Sequence, residues 1–126
     1  MATPHIHVVT PIISEGFRDD APLRAAILAG GVLTSSFLSR GPASVESAVD
    51  EVLAAPGVVD AALAAEADGA AALVIDCMLD PGLEAAREAT GLTVIGCGMA
   101  GLSAAAMQGR FSIVTVLQRQ ERLLRP

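Results

Sequence analysis

Residues 72–88 read ALVIDCMLDPGLEAARE, and this stretch decides the fold class. Its first part is an unbroken apolar run of the kind that forms a strand covered on both faces in a parallel sheet. An Asp-Pro-Gly triplet interrupts the run and leads into an alanine-rich amphipathic segment. This predicts a helix with Asp80 as its cap and Pro81 in its first turn. The stretch therefore predicts a strand that passes directly into a helix, with Cys77 at the junction.

Apolar runs of similar length recur along the chain and predict five strands in all. The predicted strands are 5–12, 32–38, 71–77, 92–97 and 111–117. Segments with helical punctuation lie between them, and this alternation predicts an α/β fold with an open parallel sheet and helices on both faces. In such folds, ligands bind at the carboxyl ends of the strands.

Two of the intervening helices are predicted in some detail. Pro22 is placed to open the first of them, and Gly30 and Gly31 are placed to close it. Ser44 is placed to cap the next, whose apolar face carries Val45, Val49, Val52 and Leu53 at helical spacing. The Pro56-Gly57 pair is expected to interrupt that helix, with a second helical piece over about 57–67.

Composition limits the classes of function. The chain has 126 residues, a net charge of −6, eight arginines and no lysine, Trp or Tyr. It has no basic patch or stacking platform for nucleic acid, so no nucleic-acid partner is expected. No apolar run approaches the roughly 20 residues of a membrane span. The first residues do not read as a signal peptide, so a cytoplasmic protein with no membrane partner is expected.

Cys77 is one of two cysteines, too few for a disulfide framework, and both are expected to be free thiols. A position at the end of a strand, just before a helix, puts Cys77 at the ligand-binding edge. The helix dipole would favour the reactive thiolate, while Asp76 and Asp80 would oppose it. The alternative is a cysteine that only fills space, since free cysteine is among the most buried residue types.

The second cysteine lies in a glycine-rich motif. Gly96, Gly98 and Gly101 spell G-x-G-x-x-G between a predicted strand and a predicted helix, which is the local context of a dinucleotide site. The acidic residue expected about 20 positions later is missing, so a tight turn or a small-anion cradle is favoured over a dinucleotide. Cys97 is expected to lie at the same edge of the sheet as Cys77. No His or Asp/Glu cluster accompanies these two thiols, so no metal site is expected. His5 and His7 share a strand face and are expected to serve packing.

Three segments together resemble one family. The segment ADGAAALVIDCMLDPGLEAAREA (67–89), with GPASVES (41–47) and GRFSIVTVL (109–117), resembles the aspartate/glutamate racemase superfamily in its hydantoin-racemase-like branch. The match runs in order over nearly the whole chain. The resemblance implies a cofactor-independent isomerase acting at a carbon next to a carbonyl, in an amino-acid, hydantoin or cyclic-amide substrate.

The resemblance also implies roles for individual residues. Cys77 is the implied acid/base or nucleophile, and a second cysteine comes from a homologous second half of the family's chain. Asp80 and Gly82 would orient the thiol and bind anionic oxygen, with Cys97 beside them. Thr10, Pro11 and Ser14 would line the opposite rim. In T-P-I-I-S (10–14), Pro11 and Ser14 match the family's N-P-N-T-S, while both asparagines and the threonine are replaced. Leu79 replaces a common glycine.

The resemblance further divides the chain into two parts. Residues 1–109 match the racemase-like α/β domain, and residues 110–126 match a strand and short helix that begin the family's second domain. A homodimer, or a partner chain that supplies the second half, is therefore expected to complete the site. Two alternatives remain: a non-catalytic or truncated subunit of a racemase-like complex, and a dinucleotide-binding domain.

Overall fold

The computed structural model describes residues 3–16 and 30–124 of the chain. They form an open sheet of four parallel strands in the order β2-β1-β3-β4. The strands are β1 (His5–Thr10), β2 (Val32–Phe37), β3 (Ala72–Ile75) and β4 (Thr93–Gly96). The helices are α1 (Ala48–Ala67), α2 (Leu83–Ala89) and α3 (Cys97–Met107), followed by a short 3-10 helix, Gln118–Arg122. The predicted fold class is confirmed.

The register of the sheet brings the strand ends to one edge. Val9 of β1 pairs with Ile75 of β3, and Ile75 pairs in turn with Gly96 of β4. All strands run in the same direction, so the residues that follow these positions meet at the carboxyl edge of the sheet. We call this edge the rim. It is the part of the fold that holds Cys77.

One face of the sheet is covered by α1 and α2. Val9, Leu73 and Ile75 are fully buried on this face and pack with Val58 of α1 and Ala86 of α2. Side chains of a strand alternate between faces, so this period-two set forms the core side of the central strands. Burial of these aliphatic side chains supplies the main stabilisation of the domain.

Helix α1 differs from its prediction at its start and at its centre. Its cap is Ser47, not Ser44: the Ser47 side chain accepts a hydrogen bond from the N–H of Asp50. The helix continues through Pro56, which is exposed, so the carbonyl that loses its donor there can bond to water. Gly57 does not break the helix but allows close packing, because a β-carbon there would lie 2.5 Å from the Arg40 carbonyl oxygen.

The buried face of α1 also differs from the prediction. Val49, Val52 and Leu53 are 67%, 71% and 56% exposed. The face that packs on the sheet carries small residues instead: Ala54, Gly57, Val58, Ala62 and Ala65. Small side chains let the helix axis approach the sheet closely, so packing distance, not local hydrophobicity, selects the face.

The fifth predicted strand does not form. Residues 111–117 have no regular structure, and Val114 and Val116 are 97% and 89% exposed. Residues 113–116 line a cleft with Cys77 at the rim, and the segment joins no strand of the four-stranded sheet. The short helix predicted after it is the 3-10 helix Gln118–Arg122. The assignment of residues 110–126 to a second domain stays a prediction.

Two further predictions depend on which residues the structure describes. The predicted helix opened by Pro22 falls outside the described residues. Within residues 3–16 and 30–124, no helix is both long enough and apolar enough to cross a membrane.

Candidate active site at the rim of the sheet

Cys77 lies at the rim, two residues beyond the end of β3. Its side chain is half-buried and lines a cleft of about 270 Å³. Val45 and Leu79 form part of the wall on the domain side, and residues 113–116 form the other wall. Cys77 is therefore not sealed in the core.

The backbone turns sharply after Cys77. The N–H of Asp80 donates to the carbonyl oxygen of Cys77 at 3.0 Å, which closes the turn. Asp80 has a φ of 46°, and it is the one non-glycine residue with positive φ in the described part of the chain. Aspartate tolerates this left-handed conformation better than most residues, although the conformation still costs energy.

The environment of Cys77 raises the pKa of its thiol. Burial is the largest cause, and the negative charges of Asp80 and Glu51 act in the same direction. The N–H groups of Leu79 and Asp80 lower the pKa but are outweighed. Of the two carboxylates expected to oppose the thiolate, Asp80 is among the causes of the raised pKa and Asp76 is not. The balance of these influences favours the thiol form of Cys77.

Cys97 is the first residue of α3 and is also half-buried. Burial raises the pKa of its thiol, and the charge of Asp80 adds to the effect. The N–H of Cys77 hydrogen-bonds the Cys97 sulfur and lowers the pKa. The structure thus brings the two cysteines together on one rim, with Asp80 beside both.

Asp80 does not cap the helix that follows it. Its Oδ1 accepts from the N–H of Gly98 at 2.9 Å, and its Oδ2 accepts from the N–H of Met99 at 2.6 Å. These are donors in the first turn of α3, so Asp80 caps α3 from a distance in sequence. The prediction of Asp80 as the cap of the next helix is wrong: α2 begins at Leu83 and has no side-chain cap.

The glycine-rich motif leaves the space that the contact between Asp80 and α3 requires. A β-carbon at Gly96 would overlap the Asp80 carboxylate, and one at Gly98 would overlap the Met78 carbonyl oxygen. A β-carbon at Gly101 would meet nothing within 4 Å. The motif therefore makes room for an internal carboxylate, which takes the N–H groups that the phosphates of a dinucleotide would need.

Gly82 lies behind the rim, against α1. Its φ is 72°, and a β-carbon there would lie 3.0 Å from the carbonyl oxygen of Ala55. The residue provides a left-handed turn and close packing before α2. These contacts are structural, and its predicted role in binding anionic oxygen stays a prediction.

Thr10, Pro11 and Ser14, which were predicted to line the side of the site opposite Cys77, lie at or after the end of β1, at the same carboxyl edge of the sheet. Thr10 is 7% exposed, and its hydroxyl donates to Asp76 Oδ2 over a long 3.5 Å. Pro11 is fully buried. The Ser14 hydroxyl donates to the Ala43 carbonyl oxygen at 2.9 Å. Thr10 stands nearest the end of β3, because β1 is the neighbour of β3 in the sheet.

Sequence reasoning missed the residues of other elements that act on Cys77 or line its cleft. Glu51 of α1 acts on the Cys77 thiol, and Val45 lines the cleft. The chain after α3 is fastened to the same region by Arg119, whose guanidinium bonds the Glu46 carboxylate at 2.6 Å and its carbonyl oxygen at 3.1 Å. No local signal marks these residues, because tertiary packing alone brings them to the rim.

A second polar cluster lies across β1 and β2. Thr34 bonds the ring nitrogens of His5 at 2.8 Å and of His7 at 2.7 Å, and His7 also bonds Ser36 at 2.9 Å. Burial lowers the pKa of His7. Within residues 3–16 and 30–124, no group of three or more His, Cys, Asp or Glu side chains is placed to hold a metal ion.

Comparison with known proteins places this rim in a family context. Residues 20–126 match the family model described as Asp/Glu/Hydantoin racemase. A hydantoin racemase from Rhizobium meliloti is 38% identical over 119 residues, which is 91% of this chain and 49% of that protein. One from Pseudomonas sp. (strain NS671) is 47% identical over 85 residues, which is 67% of this chain and 34% of that protein.

A solved structure agrees with the sequence comparisons. The allantoin racemase from Klebsiella pneumoniae superposes with a TM-score of 0.90 at 35% identity, covering 97% of this chain and 51% of that protein. The chain thus spans half or less of the length of the curated relatives it matches. These matches show that the chain belongs to the Asp/Glu/hydantoin racemase family.

Proposed function

We propose that this chain forms one side of the active site of a cofactor-independent isomerase. The substrate would be a small amide or imide, of the hydantoin or cyclic-amide type or a related amino acid, with hydrogen on the carbon next to a carbonyl. The observation that carries the proposal is the placement of Cys77, which lines a cleft at the rim and begins the turn that Asp80 closes by donating to its carbonyl oxygen.

The chemistry is a proton transfer at carbon. As a thiolate, Cys77 would take the proton from the substrate carbon, and the electron pair would move onto the neighbouring carbonyl oxygen to give an enolate. As a thiol, it would return a proton to that carbon. The raised pKa of Cys77 favours the thiol, so the proton-donor form is the resting form of this side.

Inversion of configuration needs a second acid on the opposite face of the substrate. Cys77 and Cys97 lie at the ends of neighbouring strands, so they approach a ligand from the same side. We therefore propose that the opposing group comes from a second copy of the chain or from a partner chain with the second half of the fold. The names of the hydantoin and allantoin racemases that the chain matches support a cyclic ureide as the substrate class.

The cleft has a size and lining that suit such a ligand. Its volume of about 270 Å³ is near the lower end of the range for ligand pockets, which fits a small ring. Aliphatic groups from Val45, Leu79 and Ile113 line it, with Thr115 and Gln120 as polar groups. This lining suits a neutral ring with a short apolar substituent.

The test follows deuterium uptake at the substrate carbon. The full chain, alone and with a polypeptide corresponding to the second half of a hydantoin racemase, is incubated in D2O with one enantiomer of a 5-substituted hydantoin. Deuterium content and enantiomer ratio are measured against the uncatalysed background. We expect exchange with inversion in the assembled state, and a loss on the order of 10²–10⁴-fold for Cys77→Ala.

The matched control is Cys97→Ala, which removes the neighbouring thiol and should lower the rate much less. Equal rates for the wild type and Cys77→Ala would show that Cys77 is not the acid/base group. No exchange above background in any assembly would favour a non-catalytic subunit instead.

A further inference from the structure

The Cys77 turn and the first turn of α3 are joined at three points. The Asp80 carboxylate accepts from the N–H groups of Gly98 and Met99. The carbonyl oxygen of Met78 packs against Gly98 in the first turn of α3, where a β-carbon would overlap it. These contacts form a closed link between the two loops that carry the thiols.

Both the backbone and the side chain of Asp80 are fixed by contacts within this link. Its backbone adopts a φ of 46° and closes the turn by donating to the Cys77 carbonyl oxygen. Its carboxylate fills the space beside Gly96, where a β-carbon would lie within 2.5 Å of Oδ2. A non-glycine residue keeps a left-handed backbone only where its surroundings fix it, and such positions cluster at functional sites.

We infer that Asp80 is a positioning residue, which sets the placement of Cys77 and Cys97 on the rim by tying the Cys77 turn to the start of α3. The inference rests on the proposed function for its catalytic consequence. It gives a structural basis for the orienting role that the resemblance implies for Asp80, because both of its carboxylate oxygens accept from backbone N–H groups of α3. The implied contact of Asp80 with anionic oxygen stays a prediction.

Two kinds of substitution separate the position of the carboxylate from its charge. Asp80→Ala removes both, and Asp80→Asn keeps the shape and one acceptor oxygen. Gly96→Ala keeps the charge but places a methyl group where the carboxylate lies. Gly101→Ala changes the same glycine motif at a position with open space and serves as the control.

The first readout is the pH profile of thiol alkylation, with each cysteine followed separately by mass spectrometry. Asp80 raises the pKa of both thiols, whereas Glu51 raises the pKa of Cys77 and is not among the causes for Cys97. Asp80→Asn should therefore move both profiles to lower pH. Glu51→Gln should move the Cys77 profile alone, and Gly101→Ala should move neither.

The second readout is racemase kinetics of the assembled protein. A displacement of about 1 Å at a reacting group can cost on the order of 10²-fold, so Asp80→Ala and Gly96→Ala should lower kcat by about 100-fold. KM should change far less, and Asp80→Asn should recover part of the loss. A role limited to stability would lower the unfolding midpoint and leave kcat of the folded fraction unchanged.

The outcomes distinguish the two proposals. An unchanged kcat for folded Asp80→Ala and folded Gly96→Ala would overturn the positioning role. Folded Asp80→Asn with both alkylation profiles superimposed on the wild type would overturn the effect of the Asp80 charge on the thiols. If Asp80→Ala does not fold, Asp80→Asn and Gly96→Ala carry the same test. Shifted thiol profiles together with a wild type that racemises no substrate would retain the link and reject the proposed function.

Discussion

The carbonyl oxygen of Met78 lies against the α-carbon of Gly98, so closely that a methyl group on Gly98 would overlap it. Met78 follows the candidate catalytic cysteine, and Gly98 follows the second thiol. The backbone at the end of β3 thus packs directly on the backbone at the start of α3. This contact accounts for the glycine at position 98 of the glycine-rich motif.

A matched pair of glycine substitutions tests that contact. Gly98→Ala should destabilise the protein by about 1–3 kcal/mol, because the methyl group must displace the Met78 backbone. Gly101→Ala, in the same helix with open space around it, should stabilise by roughly 0.5–1 kcal/mol, because alanine loses less backbone freedom than glycine. Urea unfolding measures both, and equal effects would contradict the packing described.

The two thiols should determine how the free energy of unfolding changes with pH above neutrality. Both pKa values are raised on folding, so each thiol contributes stability that is fully present below its unfolded pKa, about 8.5, and is lost as the pH rises through the folded pKa. The chain has no Tyr and no Lys to titrate in the same range. We expect the free energy of unfolding to fall above about pH 8.5.

The double variant Cys77→Ala, Cys97→Ala provides the control for this pH dependence. It should flatten the decline measured by urea unfolding at a series of alkaline pH values. A decline of the same slope in the variant would show that other groups cause it.

His7 should make the protein less stable on mild acidification. Burial lowers its pKa most, a positive charge on His5 adds to this, and Asp68 opposes it. A lowered pKa means that the folded state favours the neutral ring. The contribution is therefore present above the unfolded pKa, about 6.5, and is lost as the pH falls through the lowered folded pKa.

Thermal unfolding between about pH 7 and about pH 5 measures this effect. His7→Gln keeps a polar side chain that can bond Thr34 or Ser36 but does not titrate, so its midpoint should change less over the range. An equal change in both proteins would assign the effect to other groups.

The alternation of apolar and helical segments was sufficient to predict the α/β class and four of the strands, each to within one or two residues at its ends. These elements are decided by local hydrophobic pattern and by burial on a sheet, which the order of residues records directly. The same pattern failed at 111–117. An apolar run forms a strand only where another strand lies beside it, and partner geometry is not a local property.

The position of Cys77 at the end of β3 was likewise determined by sequence alone, because a strand, a cysteine and a turn occur in order. Its chemistry was not. Whether a thiol is ionised depends on burial and on charges such as Glu51, which come from α1 at a distance along the chain. Only the tertiary structure could show that Asp80 caps α3 and not its own helix, since a carboxylate bonds whichever N–H groups the packed fold brings within about 3 Å.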